Sequence, residues 1–268
     1  MWAMTDFALD PDAPALPSTA APVIDIRNLS KRFGDFEAVS GIELEVGRGE
    51  IFALLGPNGA GKTTTIRMLM GVLQPSAGSA RIDGLDCFGE RVEVMRRVGY
   101  LPDEPIFYDH LRGREIIRFV GEMHGLDRGD IAARSEPLLE RFGLLDAGEE
   151  YAVNYSRGMK KKLALVCTLL HDPLLLILDE PTSGLDPHAT RTLLEFLRVE
   201  SARITVFFST HLLDQAEKLC SRAGILFGGK LAAVGTLDAL RSSLSPGGSL
   251  EEIFFAVTGD GASGDGEP

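Results

Sequence analysis

The sequence predicts an α/β fold built on a central, mostly parallel sheet. Three observations carry this. Short apolar runs at residues 51–55, 174–178 and 204–208 suit strands buried on both faces. A helical pattern follows each run, the alternation that joins parallel strands through crossover helices. A length of 268 residues, 44% hydrophobic and 25% charged, suffices for a sizeable core in one or two domains.

The elements follow in order. Residues 1–22 are rich in Ala, Pro and Asp and read as a disordered leader. They hold no Lys or Arg, so they lack the positive start of a secretory signal. Runs 23–26 and 42–46 alternate apolar and polar residues, as a half-exposed antiparallel subdomain would. From about 105 to 162 the periodicity is helical, as in EIIRFVGEMHG and IAARSEPLLERFG, and predicts an insert in the α/β domain. Leu138, Leu139, Phe142 and Leu145 share one face at helical spacing and are expected to point into the core. The folded domain should span 23–258, with GDGASGDGEP at 259–268 as a disordered tail. The most apolar stretch, 163–178, is broken by His171, Asp172 and Pro173 and falls short of the roughly 18 residues a spanning helix needs. The chain is therefore expected to stay in the cytoplasm.

Composition narrows the function. Cys87, Cys167 and Cys220 lie far apart and match no zinc spacing, which reads as free thiols in a reducing compartment. His110, His124, His171 and His188 have no motif around them and receive no metal role. A net charge of −12 repels nucleic acid and anionic lipid, although a local basic patch would escape a net count.

Residues 56–63 read GPNGAGKT and fit G-x-x-x-x-G-K-[ST], between the strand IFALL and the helical TTTIRMLMGVL. The pattern reads as the phosphate loop of P-loop NTPases, with a Gly-rich turn that merely resembles the motif as the alternative. Gly56, Gly59 and Gly61 let the backbone curl so that the amides of the Gly56, Pro57, Asn58, Gly59, Ala60, Gly61 segment turn inward. The next helix then meets an anion with its positive end. Lys62 is expected on the β- and γ-phosphates, Thr63 on Mg²⁺, and Thr64 as a further phosphate contact.

LLLILDEP ends a buried run in two acids, which cost desolvation unless partnered. Asp179 is expected to hold Mg²⁺ opposite Thr63, and Glu180 to accept the proton of an attacking water. The alternative is a solvated strand end. A second carboxylate argues for hydrolysis, and no Asn-Lys-x-Asp element selects guanine, so adenine is favoured.

In these motifs and their order the sequence resembles the ATP-binding cassette family over about 23–258. YSRGM at 155–159 stands where that family has its signature, SGLDP ends at Pro187, and STH ends at His211. The resemblance implies an ABC-type ATPase using ATP and Mg²⁺ as a sandwich of two chains. Ser156 and Gly158 of one chain would meet the γ-phosphate held by the other. It further implies that His211 orients that phosphate and that Phe33 stacks on adenine; an ordinary core aromatic is the alternative for Phe33. YLPDEP, YSRGMKKKL and LEEIFFAVTG resemble the bacterial exporter branch, whose transmembrane permease is a separate chain. That implies a peripheral place on the cytoplasmic face of the membrane, and a homodimer is the simplest assembly. A soluble ABC ATPase acting on nucleic acid or ribosomes is the alternative, and a module that holds ATP without turnover is a third.

Two motifs depart from the family pattern. Arg157 and Met159 replace Gly and Gln of the signature; Arg157 would add charge near phosphate or face solvent. Asp103 stands where the family has a Gln that senses Mg²⁺ and water. A carboxylate holds a hard cation more strongly than an amide does, so Asp103 is expected to keep a Mg²⁺ contact. The alternative is a turn cap that touches no nucleotide.

Overall fold

The computed structural model describes residues 21–244 and 250–258. The expected tail and all but the last two residues of the expected leader lie outside them. Strands β1 (Ile24–Phe33) and β2 (Phe36–Val46) open the chain, followed by β3 (Ile51–Leu55), α1 (Lys62–Leu69), β4 (Ala77–Ile82) and β5 (Leu85–Asp86). Next come α2 (Arg91–Met95), β6 (Val98–Leu101), α3 (Gly113–Met123), α4 (Arg128–Arg141) and α5 (Arg157–Leu169). The rest is β7 (Leu175–Asp179), α6 (Pro187–Glu200), β8 (Thr205–Thr210), α7 (Leu213–Leu219), β9 (Arg222–Phe227), β10 (Lys230–Thr236), α8 (Leu237–Leu244) and α9 (Leu250–Thr258).

Two sheets form. The antiparallel one has the order β2-β1-β4-β5, and Ile24 faces Val46 as the early alternation predicts. The larger has the order β10-β9-β3-β8-β7-β6, parallel except for the β9–β10 pair. Its central strands separate two cores. Ile51, Ala53 and Leu55 of β3 face the helices of the first core, with Leu176 and Leu178 of β7 and Phe208 of β8. Phe52 and Leu54, with Leu175, Ile177 and Phe207, face α1 and the antiparallel sheet. A strand with a core on each side has no polar face, which is why these runs are unbroken in the sequence. Phe52 and Phe207 are register partners and stack at 5.7 Å across β3 and β8. The thiols of the three free cysteines are all buried and pushed up to about 12 by burial.

The insert region holds α3, α4 and the start of α5, and α5 continues past residue 162 into the core. One expectation fails here. Leu139 and Phe142 are buried and Leu138 packs against the core, but Leu145 is exposed, and Leu144 takes the buried place. The helix ends at Arg141 and Gly143 has φ +65°, so the helical phase does not carry through to residue 145. The stretch 163–178 is the end of α5, a turn with Asp172 at φ +54°, and β7. Among the described residues no helix is long and apolar enough to cross a membrane.

Candidate functional site

The ends of three adjacent parallel strands bring the predicted chemistry together. β3 runs into the 56–61 loop, β7 ends in Asp179 and Glu180, and β8 ends before His211. In register, Asp179 faces Ser209 across β7 and β8.

The loop curls as its glycines require. Gly61, the N-cap of α1, has φ +107°, and a Cβ there would meet the Ala38 carbonyl oxygen at 2.6 Å. Gly56 is excluded from a side chain by the Leu226 carbonyl oxygen, 2.4 Å from where a Cβ would sit. Ala60 is buried and its amide donates to the Pro57 carbonyl at 3.2 Å. The amides of Asn58, Gly59, Gly61, Lys62, Thr63 and Thr64 donate to no acceptor among the described residues. Such amides at a helix start form an anion cradle. Thr63 and Thr64 are half-buried beside it.

Lys62 is buried at the centre. Its Nζ donates to the carbonyls of Gly56 at 2.7 Å and Pro57 at 3.2 Å and lies 3.4 Å from Glu180 Oε1. Glu180 is buried, which removes the solvated strand end. Its other oxygen, Oε2, is 3.1 Å from His211 Nδ1. Glu180 has φ +45°, a left-handed conformation that costs a non-glycine residue roughly 1–3 kcal/mol. Its amide donates to the carbonyl and the hydroxyl of Ser209, each at 3.2 Å, which fixes that backbone. The Ser209 hydroxyl donates in turn to Asp179 Oδ1 at 2.5 Å. Ser209 is the residue that sequence reading missed. The signal was its place two residues before His211 at the end of an apolar run.

Asp103 caps no turn: its Oδ1 lies 3.6 Å from the ammonium of Lys161, and Lys161 is 1% exposed. Burial lowers the pKa of Lys161, while Asp103, and then Asp179 and Glu180, act to raise it. Leu101 is the register partner of Leu178, so the loop that carries Asp103 leaves the sheet at the same end as Asp179 and Glu180. Burial and then Asp179 push the neighbouring Tyr100 up to about 12.

The remaining predicted residues stand apart from this cluster. Ser156 is the N-cap of α5 and its Oγ accepts from the Met159 amide at 3.2 Å, so the signature opens a helix as expected. A Cβ on Gly158 would approach the Gly184 carbonyl at 3.2 Å. No hydrogen bond or ion pair joins Ser156 or Gly158 to residues 56–64 among the described residues. Arg157 faces solvent, one of the two expected places, and pairs there with Glu104 at 2.9 Å. Phe33 is 50% exposed, not a core aromatic, and the Lys31 ammonium lies 5.2 Å from its ring centroid.

Among the described residues no three His, Cys, Asp or Glu side chains are grouped to hold a metal ion. The donors that are present suit Mg²⁺ all the same. It prefers few protein oxygens and completes its shell from phosphate and water. Asp179 and the Thr63 hydroxyl are such donors, and Asp103 Oδ1 is a buried oxygen with no hydrogen bond.

The sequence pattern of the ABC transporter family matches residues 39–183. The chain is 37% identical over 243 residues to the probable multidrug ABC transporter ATP-binding protein YbhF of Escherichia coli (strain K12), covering 89% of this chain and 42% of that one. It is 37% identical over 241 residues to the daunorubicin resistance ATP-binding protein DrrA3 of Streptomyces coeruleorubidus, covering 90% of this chain and 76% of that one. This chain thus spans less than half of the first relative and about three quarters of the second. A solved ATP binding subunit of an ABC transporter superposes with a TM-score of 0.83 at 34% identity, covering 88% of this chain and 99% of that chain. The fold is that of a P-loop ATPase domain, and the chain belongs to the ABC transporter family, among its ATP-binding proteins.

Proposed function

We propose that this chain binds and hydrolyses ATP as a head-to-tail dimer and drives a separate transmembrane permease, as an exporter. The observation that carries the chemistry is the buried Lys62–Glu180 pair, joined to the exposed His211 and set beside Asp179 and Ser209. The cradle amides and Lys62 bind the phosphates, and Phe33 takes the adenine on its exposed face. Glu180 accepts the proton of the attacking water as the new P–O bond forms and the bond to ADP breaks. His211 holds Glu180 and orients the γ-phosphate. Thr63, Asp179 and Asp103 would hold Mg²⁺, which when bound neutralises phosphate charge.

The dimer reading rests on what the site lacks in one chain. Ser156 and Gly158 start a helix whose positive end suits a phosphate, yet among the described residues no hydrogen bond or ion pair joins them to the 56–64 loop. A second copy, turned head to tail, brings them to it.

Ile106, 92% exposed, with the exposed Tyr108, Phe119 and Met123, forms an apolar patch on the 102–109 loop and α3 that suits a membrane partner. Tyr108 and Phe119 already meet edge to face at 6.5 Å. The chain would then sit at the cytoplasmic face of the membrane. Drug resistance in the names of relatives supports export of organic compounds. No observation favours action on nucleic acid or ribosomes, and a net charge of −12 opposes it.

The test is ATP hydrolysis by the purified chain against its own concentration. A rate per chain that rises with concentration supports the sandwich. A rate per chain that stays constant, from a chain that sediments as a monomer throughout, overturns it. Absence of nucleotide binding overturns the whole reading.

A further inference from the structure

Asp103 and Arg157, two of the three residues that depart from the family pattern, lie on opposite sides of one contact. The first turns of α5 present Arg157, Lys160 and Lys161, at spacings that share a helix face. Opposite them runs the 102–109 loop. Arg157 meets Glu104 at 2.9 Å and Lys160 meets Asp109 at 3.2 Å, both near the surface, where ion pairs are weak and salt-screened.

The third pair differs. Lys161 is 1% exposed, among the largest fully buried side chains of the protein. Its Nζ donates to the Asp103 carbonyl at 2.6 Å and the Pro102 carbonyl at 3.4 Å, and lies 3.6 Å from Asp103 Oδ1. The two carbonyls take two of the three ammonium donors, and the Asp103 carboxylate lies beyond hydrogen-bond reach as a charge partner. A lysine buried in this way persists only with such partners.

We propose that Lys161 is a positioning residue for Asp103: from the signature helix it holds the Asp103 carboxylate at the sheet end where β6 and β7 run out together, and neutralises it. The proposal rests on the nucleotide-site reading above. A carboxylate freed of its cation would be a third unscreened acid near the phosphates and would repel a triphosphate lacking its metal. The amide of the family pattern needs no such partner. The acid at 103 and the cation at 161 are therefore one unit, shared between the loop that faces the membrane partner and the helix that faces the second chain.

The experiment is a double-mutant cycle with Lys161→Gln, Asp103→Asn and the double variant. It is read by binding of a fluorescent ATP analogue in chelator and in Mg²⁺. Lys161→Gln alone is expected to weaken chelator-state binding about tenfold and Mg²⁺-state binding less. In the Asp103→Asn background the same change is expected to alter affinity by less than about twofold, because no charge is left to strand. Lys161→Arg, which keeps the cation, should restore most of the affinity. Equal effects of Lys161→Gln in both backgrounds would overturn the proposal, since Lys161 would then only brace the carbonyls. If Lys161→Gln fails to fold alone but folds with Asp103→Asn, the pairing is upheld; failure in both backgrounds overturns it. Should the wild type bind no analogue, the nucleotide reading falls separately. The same cycle read by denaturant unfolding then decides: coupling between positions 103 and 161 supports the unit, and additivity refutes it.

Discussion

Replacing Glu180 by Gln separates chemistry from folding. The glutamine keeps the size of the side chain and the φ of +45°, so the backbone strain is unchanged. Its amide oxygen can stay toward Lys62 while its NH₂ donates to His211 Nδ1, 3.1 Å from Oε2 in the wild type, with the imidazole proton on Nε2. Lys62 loses a charged neighbour at 3.4 Å but keeps the Gly56 carbonyl at 2.7 Å and the Pro57 carbonyl at 3.2 Å. One exchanged interaction with no donor left bare costs about 1 kcal/mol, or roughly 2–4 °C in Tm for a domain of this size. Loss of a general base costs roughly 10²–10⁴ in rate, about 3–5 kcal/mol of barrier. The variant should therefore fold and bind ATP, release phosphate at no more than about 1% of the wild-type rate, and collect as a dimer in ATP. Phosphate release at saturating ATP, sedimentation and thermal melting on one preparation check this. A rate within threefold of wild type removes Glu180 from the base role. A slow variant that melts far below wild type would show misfolding and not lost chemistry.

Three further outcomes are expected. Phe33→Ala should weaken ATP binding roughly 5- to 100-fold, the worth of one stacked base, while Tm stays put because the ring is half exposed; unchanged affinity by titration would take Phe33 out of the site. Gly61→Ala should cost about 3 kcal/mol or more and abolish nucleotide binding, since its φ is +107° and the added carbon meets the Ala38 carbonyl at 2.6 Å; a wild-type denaturation midpoint would contradict this. The third concerns acid. Burial first, and His124 stacked at 3.8 Å second, lower the pKa of His171 to about 4. The unfolded value is about 6.5, so between those values the unfolded chain binds more protons and stability falls as pH drops. His171→Gln can keep a bond to the Val98 carbonyl, which His171 Nε2 makes at 3.1 Å, and should remove on the order of 1 kcal/mol of the acid loss. Melting curves of both proteins from pH 7 to pH 4 that run parallel would exclude His171 as a source.

The parts legible in the sequence were those that a single local rule decides. β3, β7 and β8 were visible because a core on each side makes most of their positions apolar on both faces. The phosphate loop was visible because its geometry demands glycine, lysine and threonine at fixed spacing. What was hidden depends on partners far along the chain. Lys161 sits in a run of three lysines that reads as a solvated face; only the fold shows that its middle member points inward to carbonyls 58 and 59 residues earlier. Ser209 gains meaning only from its register with Asp179. Leu145 was misplaced because a glycine ended the helix before the periodicity that named it. The hairpin of β9 and β10 and the short β4–β5 pair went unnamed, lacking the continuous apolar runs of the central strands.

The burial of Cys87, Cys167 and Cys220 has a practical side. Thiols pushed up to about 12 hold almost no thiolate at neutral pH and are shielded from reagents. A maleimide dye or spin label would pass the native cysteines by and attach to a single one introduced on the surface. The natural sequence is thus ready for distance measurements between two copies, without first stripping three side chains from its core.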